Sequence, residues 1–332
     1  MKLSVLITTY NLQEYIQETL ESVLSQKVDF AFEIIVGDDG SDDRTAEIVS
    51  LYVEKYPEKI RLLVMEREQG KKYSRIDRAS RNRISLIKEA RGDYLIFLDG
   101  DDVYTDVNKL QKQMDILEHE DYQDCIACGH NIWKYWSEEE KELINPYKKA
   151  FKVDSRKYWK DCMYFHSDTL MFRNVFKRGF PDEIHPGYYD DNMMVYVLLR
   201  YGKLAYLPDV MVNYRQVGNS SWNSVDELEK NIINLIDWNM EGIIDNRYRK
   251  ESTIRHMYNL VYQWKNAKEI PKEIEEKYLA QMERDGLEKA KDWLTYAKLP
   301  LSKRVKMSAW LMGWLIPFTI NKIKKTIWNP YI

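Results

Sequence analysis

The chain has 332 residues, which is enough for one large domain with an appendage or for two domains. Its net charge is −3, and acidic residues balance the many lysines and arginines, which argues against a nucleic-acid-binding protein. The three cysteines, an odd and sparse number, argue against a disulfide framework and favour a reducing compartment.

Four short apolar runs occur in the first hundred residues, at positions 3–9, 32–37, 60–65 and 93–98. Apolar runs of this length without alternation are typical of parallel strands that are buried on both faces. The first run is followed directly by polar residues, so we expect a buried strand there and no signal peptide. Because no run of about 18–20 apolar residues occurs, the sequence predicts no ordinary membrane-spanning helix.

Helical patterns separate these predicted strands. The first carries apolar residues at helical spacing, and Asn11 with Glu14 three residues later predicts a capping box at its start. A second helix is predicted to begin at Asp42 or Asp43, and a third to span residues 77–90. The repeated alternation of strand and helix predicts an α/β protein with a doubly wound, mostly parallel sheet.

Polar residues follow each predicted strand, at the sheet edge where doubly wound proteins bind ligands. Acidic or hydroxyl-bearing residues follow the first, second and fourth predicted strands. They are Thr8, Thr9, Tyr10 and Asn11; Asp38, Asp39, Gly40 and Ser41; and Asp99, Gly100, Asp101 and Asp102. The third strand is followed by the cationic residues Arg75, Arg78 and Arg81. Three carboxylates within four residues repel one another unless a cation binds them, so the last cluster predicts Mn²⁺ or Mg²⁺. The competing interpretation is the solvated start of a helix.

Two common nucleotide-binding patterns are absent from the sequence. No glycine stands directly after the first strand, which excludes the G-x-G-x-x-G pattern of dinucleotide-binding domains there. No phosphate-binding G-x-x-x-x-G-K-[ST] pattern occurs either. A receiver-type phosphoacceptor domain also has acids at strand ends, but it ends well before the acidic residues of this chain do.

The ordered set of motifs resembles that of family 2 glycosyltransferases. The matching segments are residues 4–11 (SVLITTYN), 37–45 (GDDGSDDRT), Arg81 with Asn82, and 92–102 (GDYLIFLDGDD). They occur in the family's order and at its spacing, within residues 1–105. The resemblance implies the GT-A fold, in which helices flank a mostly parallel central sheet, and an inverting transfer from a nucleotide sugar.

The resemblance also implies roles for individual residues. Tyr10 would lie near the base, and Asp39, or Asp38 beside it, would accept a hydrogen bond from the base edge. Asp101, with Asp99, would ligate the metal that bridges the diphosphate. The residues expected to contact the donor are Thr8, Thr9, Tyr10, Asn11, Asp38, Asp39, Asp99, Gly100, Asp102, Arg215, and Arg75, Arg78 or Arg81.

The acceptor half of the predicted site lies further along the chain. Residues 126–133 and 168–173 predict strands, and the second of these resembles the family's strand on the acceptor side. Asp190 and Asp191 precede an apolar helix, where family members carry an acid pair whose second member is thought to be the catalytic base. An in-line displacement needs a carboxylate to take the proton of the acceptor hydroxyl. Asp191 is the predicted base and Asp190 the second choice; the competing role is helix capping.

A later loop, residues 214–221, also resembles a family segment. A histidine often stands where this chain has Val217, so a third protein ligand for the metal is in doubt. Arg215, or the polar residues 219–221, would hold the diphosphate instead.

The last third of the chain predicts helices and a basic tail. Residues 307–320 carry no charge, contain Trp310 and Trp314, and are flanked by lysines and arginines, with Trp328 beyond. A basic apolar helix that bears tryptophan is typical of attachment to an anionic membrane surface, here through residues 303–328. The alternative is a helix that packs on the protein. The expected organisation is a catalytic domain over 1–225 (nucleotide-binding half 1–105, acceptor half 106–225), a helical appendage over 226–298, and the tail over 299–332.

These features predict a cytoplasmic enzyme at the inner face of the cell membrane. It would move a sugar from a nucleotide sugar, UDP being favoured only by its frequency in the family, to a glycan or lipid-linked acceptor of a surface polysaccharide. A sugar-phosphate nucleotidyltransferase is one alternative, although such enzymes usually have a Gly-rich basic loop after the first strand. A catalytically degenerate, nucleotide-binding partner subunit is another, and only Val217 points to it. The sequence does not reveal the oligomeric state.

Overall fold

A computed structural model describes residues 1–65, 75–160, 163–180, 187–217, 225–244, 246–266 and 268–328. The chain divides into two compact units, residues 1–224 and 225–332. The first unit contains all the strands of the described residues, and the second contains helices alone.

The first unit is built on one sheet. Its strands are β1 (Leu3–Thr9), β2 (Phe32–Asp38), β3 (Ile60–Val64), β4 (Tyr94–Asp99), β5 (Val103–Tyr104), β6 (Cys125–Tyr135), β7 (Lys141–Leu143), β8 (Phe151–Val153), β9 (Met171–Arg173) and β10 (Lys203–Arg215). Their order is β3-β2-β1-β4-β9-β6-β10-β5, with β7 paired to β6 and β8 to β10. The α-helices of this unit are α1 (Ile16–Leu24), α2 (Thr45–Lys55), α3 (Arg75–Glu89), α4 (Lys109–Glu118), α5 (Ser155–Lys160) and α6 (Asp191–Leu198).

The first four strands form the parallel half of the sheet. Strand β1 lies between β2 and β4 and runs parallel to both, and β3 pairs in parallel with β2. In register, Thr9 lies opposite Asp38 and Thr8 lies opposite Asp99. The ends of three neighbouring strands therefore meet at one edge, which we call the carboxyl edge. The α/β sheet flanked by helices confirms the predicted fold class.

The other half of the sheet is mixed. Strand β9 is antiparallel to both β4 and β6, and β6 is parallel to β10. The predicted strand over residues 168–173 is wrong in its first half, because Ser167–Thr169 forms a 3-10 turn. The Asp168 carboxylate accepts a hydrogen bond from the backbone N–H of Asp99, which turns this segment toward the carboxyl edge.

The predicted capping box at Asn11 and Glu14 is also wrong. Helix α1 begins at Ile16, without a side-chain cap. Asn11 has a φ of 53°, a left-handed conformation that asparagine tolerates. Its backbone N–H donates to the Ser41 hydroxyl, and its side-chain oxygen accepts from the N–H of Asp42. Asn11 therefore joins the loop after β1 to the loop after β2 instead of starting a helix.

Helix α3 packs closely on β2 at a glycine. The side-chain amide of Asn82 donates to the Gly37 carbonyl at 2.7 Å, and a Cβ at Gly37 would lie only 2.1 Å from the Asn82 Oδ1 atom. Ile84, Leu86 and Ile87 bury the same helix against the sheet. This close approach carries the arginines of α3 toward the carboxyl edge.

The second unit consists of six α-helices within the described residues. They are α7 (Glu227–Ile244), α8 (Arg249–Arg255), α9 (Met257–Asn266), α10 (Lys272–Arg284), α11 (Glu288–Leu294) and α12 (Leu301–Trp328). Buried Trp238 and Trp293 both lie near the Trp310 ring of α12, with centroid distances of 6.2 and 6.3 Å. Helix α12 continues without a break past Pro317. No helix in the described part of the chain has the length and apolarity to cross a bilayer.

Candidate active site

The side chains of Tyr10, Asp39 and Arg78 lie together beyond the ends of β1 and β2, and we call this group the Tyr10 pocket. The Arg78 Nε atom donates to the Asp39 carboxylate at 2.6 Å, and its guanidinium carbon lies 5.6 Å from the centre of the Tyr10 ring. The Tyr10 side chain is exposed, while Arg78 and Asp39 are partly buried. An open aromatic face beside a carboxylate and a cation can stack on a planar ring and bond to its edge.

The neighbouring residues Asp38 and Thr9 have different surroundings. Both carboxylate oxygens of Asp38 accept hydrogen bonds from Ser41, one from its N–H at 2.8 Å and one from its hydroxyl. Asp38 thus stabilises the loop after β2, and Asp39 is the acid that pairs with Arg78 beside the Tyr10 ring. Thr9 is buried, and its backbone carbonyl accepts from the N–H of Asp39 at 2.9 Å.

Four titratable side chains converge at the carboxyl edge. Ligand atoms of Asp99, Asp102, His166 and Asp168 all lie within 4.8 Å of one another. The Thr8 hydroxyl donates to Asp99 at 2.7 Å, which ties the end of β1 to the end of β4. We call these four residues the acidic cluster.

The acidic cluster has unused hydrogen-bonding capacity. One oxygen of Asp102 accepts from the backbone N–H of Arg215 at 2.7 Å. The other oxygen of Asp102 is buried and accepts no hydrogen bond among the described residues, and the buried Oδ2 atom of Asp168 has only the His166 ring nitrogen, at 3.5 Å, as an ion-pair partner. Buried carboxylate oxygens are costly unless a donor or a cation satisfies them, so the donor set fits a divalent ion.

Burial and mutual repulsion alter the acidity of these groups. Burial, reinforced by the charge of Asp168, raises the pKa of Asp102 well above its usual value. Burial also raises the pKa of Asp99, although the Arg83 guanidinium acts against it. Burial and the neighbouring Asp99 raise the pKa of Asp101 to about 7. A cation bound among these carboxylates would offset their repulsion and lower their pKa values again.

His166 places a positive charge inside this group of acids. Burial lowers the pKa of His166, but Asp168 and Asp191 outweigh it and raise the value to about 9. Its two ring nitrogens lie 3.5 Å from Asp168 and 3.8 Å from Asp191, and its ring is 4.4 Å from that of Tyr214. Burial acts to raise the pKa of Asp168, but His166 outweighs it and lowers the value to about 2. At neutral pH, His166 is thus a cation paired with Asp168, and it must lose a proton before it can ligate a metal.

Asp190 and Asp191 have different contacts. The Asp190 carboxylate caps α6 by accepting from the N–H of Met193 at 2.8 Å. Asp191 lies in the first turn of α6, where its Oδ2 atom accepts from the Tyr164 hydroxyl at 3.0 Å and its Oδ1 atom lies 3.3 Å from the Arg83 Nη2 atom. Asp191 therefore borders the acidic cluster.

The arginines expected at the donor site have separate partners. Arg78 belongs to the pocket with Tyr10, whereas Arg81 pairs with Asp77 at 2.7 Å on its own helix. The side chain of Arg75 lies outside the described residues. Arg83, which belongs to none of the sequence motifs, is the arginine that reaches Asp99 and Asp191.

Arg215 contacts the acidic cluster through its backbone. Its N–H group binds Asp102, while its guanidinium pairs with Glu18 at 2.5 Å and lies over the Tyr15 ring at 5.6 Å. A diphosphate contact by this side chain would require it to leave Glu18. Residues 219–221, the other candidates for the diphosphate, lie outside the described part of the chain.

Comparisons with known proteins agree with this geometry. Residues 4–180 match the family described as Glycosyl transferase family 2. An uncharacterized protein of Mycobacterium tuberculosis is 27% identical over 234 residues, which cover 67% of this chain and 61% of that protein. The putative teichuronic acid biosynthesis glycosyltransferase TuaG of Bacillus subtilis is 35% identical over 114 residues, or 34% of this chain and 41% of TuaG.

Solved structures show the same fold. The crystal structure of residues 1–349 of Staphylococcus aureus TarS in complex with UDP has a TM-score of 0.58 and 19% identity to this chain. The match covers 92% of this chain and 89% of that one. TarS is a poly(ribitol-phosphate) beta-N-acetylglucosaminyltransferase, which is 38% identical over 105 residues covering 31% of this chain and 16% of its own.

Proposed function

Because the chain belongs to glycosyl transferase family 2, we propose that it transfers a sugar from a nucleotide sugar to a hydroxyl group with inversion at the anomeric carbon. One observation carries the proposal. The acidic cluster and Asp191 lie at the edge where β1 and β4 end, and one buried oxygen of Asp102 accepts no hydrogen bond there in the described structure. Such a group of acids is suited to a metal-bound diphosphate on one side and a proton acceptor on the other.

The donor nucleoside would bind at the pocket of Tyr10, Asp39 and Arg78. The exposed Tyr10 ring offers a stacking surface, and the Asp39 carboxylate can accept a hydrogen bond from a base N–H group. A uridine nucleotide is our choice for the donor, supported by the structures of TarS in complex with UDP and with UDP-GlcNAc. Thr8 would keep Asp99 in place beside the ribose or the donor sugar.

The diphosphate would bind through a divalent ion at the acidic cluster. We assign Asp99 and Asp101 as its first ligands, with Asp102 as support. Asp101 is not one of the four residues of the acidic cluster, but it follows Asp99 by two residues, and burial and the charge of Asp99 raise its pKa to about 7. When bound, Mn²⁺ or Mg²⁺ would offset the negative charge that grows on the departing diphosphate.

Asp191 would act as the general base. As the acceptor oxygen bonds to the anomeric carbon, the bond to the diphosphate oxygen breaks and the hydroxyl proton passes to Asp191. The Tyr164 hydroxyl and the Arg83 guanidinium hold the Asp191 carboxylate in one orientation. Asp190 is already engaged as the helix cap, which favours Asp191 for this role.

The acceptor would be a glycan or lipid-linked saccharide of a cell-surface polysaccharide. The support is the similarity to TuaG and TarS, whose names refer to teichuronic acid and poly(ribitol-phosphate). The chain aligns with only 61% of the length of its Mycobacterium tuberculosis relative. The activity of the complete protein is therefore a proposal as well.

We also propose that α12 attaches the protein to an anionic membrane surface. Leu301, Val305, Met312 and Ile316 are exposed and recur at helical spacing, so they form an apolar stripe on one face of α12. From residue 293 onward the chain has seven basic and no acidic residues: Lys298, Lys303, Arg304, Lys306, Lys322, Lys324 and Lys325. This charge complements anionic lipid.

The apolar stripe of α12 does not include Trp310, which the sequence predicts at the membrane. Trp310 lies near Trp238 and Trp293 within the second unit and is 39% exposed, and the proposed membrane contact is the apolar stripe. The side chains of Trp314 and Trp328 are outside the described residues.

Vesicle sedimentation tests the membrane proposal. The protein should sediment with phosphatidylglycerol vesicles at low salt, stay in solution with phosphatidylcholine vesicles, and lose binding when Val305 and Met312 are both changed to aspartate. The matched control is Leu51→Asp, at an exposed leucine of α2 that the stripe does not include. Equal binding of all three proteins to either lipid would refute the proposal.

Product analysis tests the transferase proposal against its alternatives. The purified protein is incubated with a panel of nucleotide sugars in Mn²⁺ or in EDTA, and the released nucleotide is identified. Release of the nucleoside diphosphate that depends on Mn²⁺ supports a transferase. Release of pyrophosphate from a sugar phosphate and a nucleoside triphosphate would instead identify a nucleotidyltransferase. Nucleotide binding without turnover of any donor would identify a degenerate partner subunit.

A further inference from the structure

Arg83 connects the donor side of the site to the acceptor side. It extends from α3, and its Nη2 atom lies 3.3 Å from the Asp99 carboxylate and 3.3 Å from the Asp191 carboxylate. The same nitrogen lies 3.3 Å from the Ser167 hydroxyl. A single cationic group thus contacts a proposed metal ligand and the proposed base at once.

The surroundings of Arg83 are those of an interior residue. Its side chain is 12% exposed, its guanidinium carbon is 5.9 Å from the centre of the Phe97 ring, and its Nε atom has no hydrogen-bond partner in the described structure. A buried arginine is costly unless carboxylates pair with it. Asp99 and Asp191 are the carboxylates in reach, and without Arg83 their like charges would repel each other.

We propose that Arg83 is a positioning residue that fixes the carboxylate of Asp191 relative to donor-side Asp99, so that the base faces the acceptor hydroxyl when Arg83 holds both acids. This inference rests on the proposed function. Misplacement of a catalytic group by about 1 Å can cost on the order of a hundredfold in rate, because the reacting atoms leave their near-attack geometry. With Arg83 removed, Asp191 keeps the Tyr164 hydroxyl and the more distant His166 as partners.

The expected signature is a loss of turnover that exceeds the loss of donor affinity. Arg83→Gln should lower the rate of donor turnover by about tenfold to a hundredfold, while the Kd for UDP in the presence of Mn²⁺ changes less. The Nη2 atom of Arg83 makes the contacts with both Asp99 and Asp191. A lysine ammonium group also offers a single cationic nitrogen, so Arg83→Lys should recover part of the rate. A merely structural role would reduce affinity, rate and stability together.

A double-mutant cycle separates this role from an independent one. If Arg83 acts through Asp191, then Arg83→Gln combined with Asp191→Asn should be about as slow as Asp191→Asn alone. Lys88→Gln is the matched control, because it removes a positive charge from an exposed position on the same helix. Thermal unfolding identifies any variant that fails to fold, and Arg83→Lys then provides the comparison.

The experiment measures UDP binding by calorimetry, and hydrolysis of UDP-GlcNAc and the other UDP-sugars by UDP release. A rate loss in Arg83→Gln that exceeds its loss of UDP affinity, partial recovery in Arg83→Lys, and no further loss in the double variant would establish the inference. The inference alone would be overturned if wild type turns over the donor and Arg83→Gln has the same rate. It would also be overturned if the rate losses of Arg83→Gln and Asp191→Asn add up in the double variant. A wild-type protein that neither binds nucleotides nor turns over any nucleotide sugar would overturn the proposed function, and this inference with it.

Discussion

Replacing His166 with glutamine should remove a pH-dependent part of the stability. Burial lowers the pKa of His166, but Asp168 and Asp191 outweigh it and raise the value to about 9, against about 6.5 for an exposed histidine. The folded protein therefore binds this proton more tightly than the unfolded chain does. The resulting stabilisation is fully present below pH of about 6.5 and is lost as the pH rises through about 9. Each pH unit between the two values is worth about 1.4 kcal/mol, which gives about 3 kcal/mol in total.

Urea unfolding in EDTA tests this value. The free energy of unfolding is measured for wild type and His166→Gln from about pH 6 to about pH 9.5, and the difference between the two proteins should shrink by about 3 kcal/mol over that range. The comparison cancels the contribution of Lys109. Burial lowers the pKa of Lys109 to about 7, so its effect has the opposite sign and stability rises with pH above that value. A difference that stays constant with pH would mean that His166 is not the cation of the acidic cluster.

Three further predictions concern neighbouring residues. Asp190→Ala should cost about 1 kcal/mol of stability through the lost helix cap, whereas Asp191→Asn, in which Asp99 still pairs with Arg83, should lower the turnover rate by about 10²–10⁴-fold. Gly37→Ala should cost about 1–3 kcal/mol, since its Cβ would lie 2.1 Å from a side-chain oxygen of α3. Asp102→Asn should be nearly neutral for stability, because burial already favours a protonated Asp102, whereas Asp168→Asn breaks a buried ion pair and should cost about 3–5 kcal/mol.

Denaturant unfolding and UDP release measure these three effects. Faster turnover by Asp191→Asn than by Asp190→Ala would contradict the assignment of the base. An unchanged unfolding midpoint in Gly37→Ala would mean that α3 does not approach β2 as closely as described. Equal destabilisation by the substitutions at Asp102 and Asp168 would mean that both carry the same charge in the folded protein.

The nucleotide-binding half of the fold could be predicted because its signals are local. Each parallel strand is a continuous apolar run, and the observed bounds of β1, β2, β3 and β4 lie within one residue of the predicted runs. Residues such as Thr8 and Asp99 belong to strand ends, and parallel pairing then brings them together without further information. The juxtaposition of Thr8 with Asp99 follows from the order of the strands.

The acceptor half could not be predicted to the same degree, because its contacts are distant in sequence. His166 and Asp168 reach Asp99 only because β9 inserts between β4 and β6, and no local pattern encodes that insertion. The position of Arg83 in the predicted helix is a sequence signal that lies outside the motifs. It stands three and four residues before the buried Leu86 and Ile87, and an arginine on the apolar face of a helix requires a carboxylate partner.

Two residues have contacts that the sequence did not predict, and both have simple physical reasons. Asn11 was expected to cap α1, but its left-handed backbone lets its side chain join two loops at the carboxyl edge. The sequence predicts Arg215 at the diphosphate. Because successive side chains of a strand point to opposite faces of the sheet, Tyr214 packs against His166 whereas the Arg215 side chain extends to Glu18 on α1.

The central claim is that Asp99 and Asp101 hold a divalent ion that binds the donor diphosphate, and calorimetric titration with UDP tests it most directly. Wild type should bind UDP at least about tenfold more tightly in Mn²⁺ than in EDTA, a difference of about 1.4 kcal/mol. Asp101→Asn should bind UDP equally weakly in both conditions while keeping the wild-type melting temperature. Equal affinity of the wild type for UDP in Mn²⁺ and in EDTA would contradict this assignment. So would an effect of Mn²⁺ on UDP affinity that persists in the variant with both Asp99→Asn and Asp101→Asn.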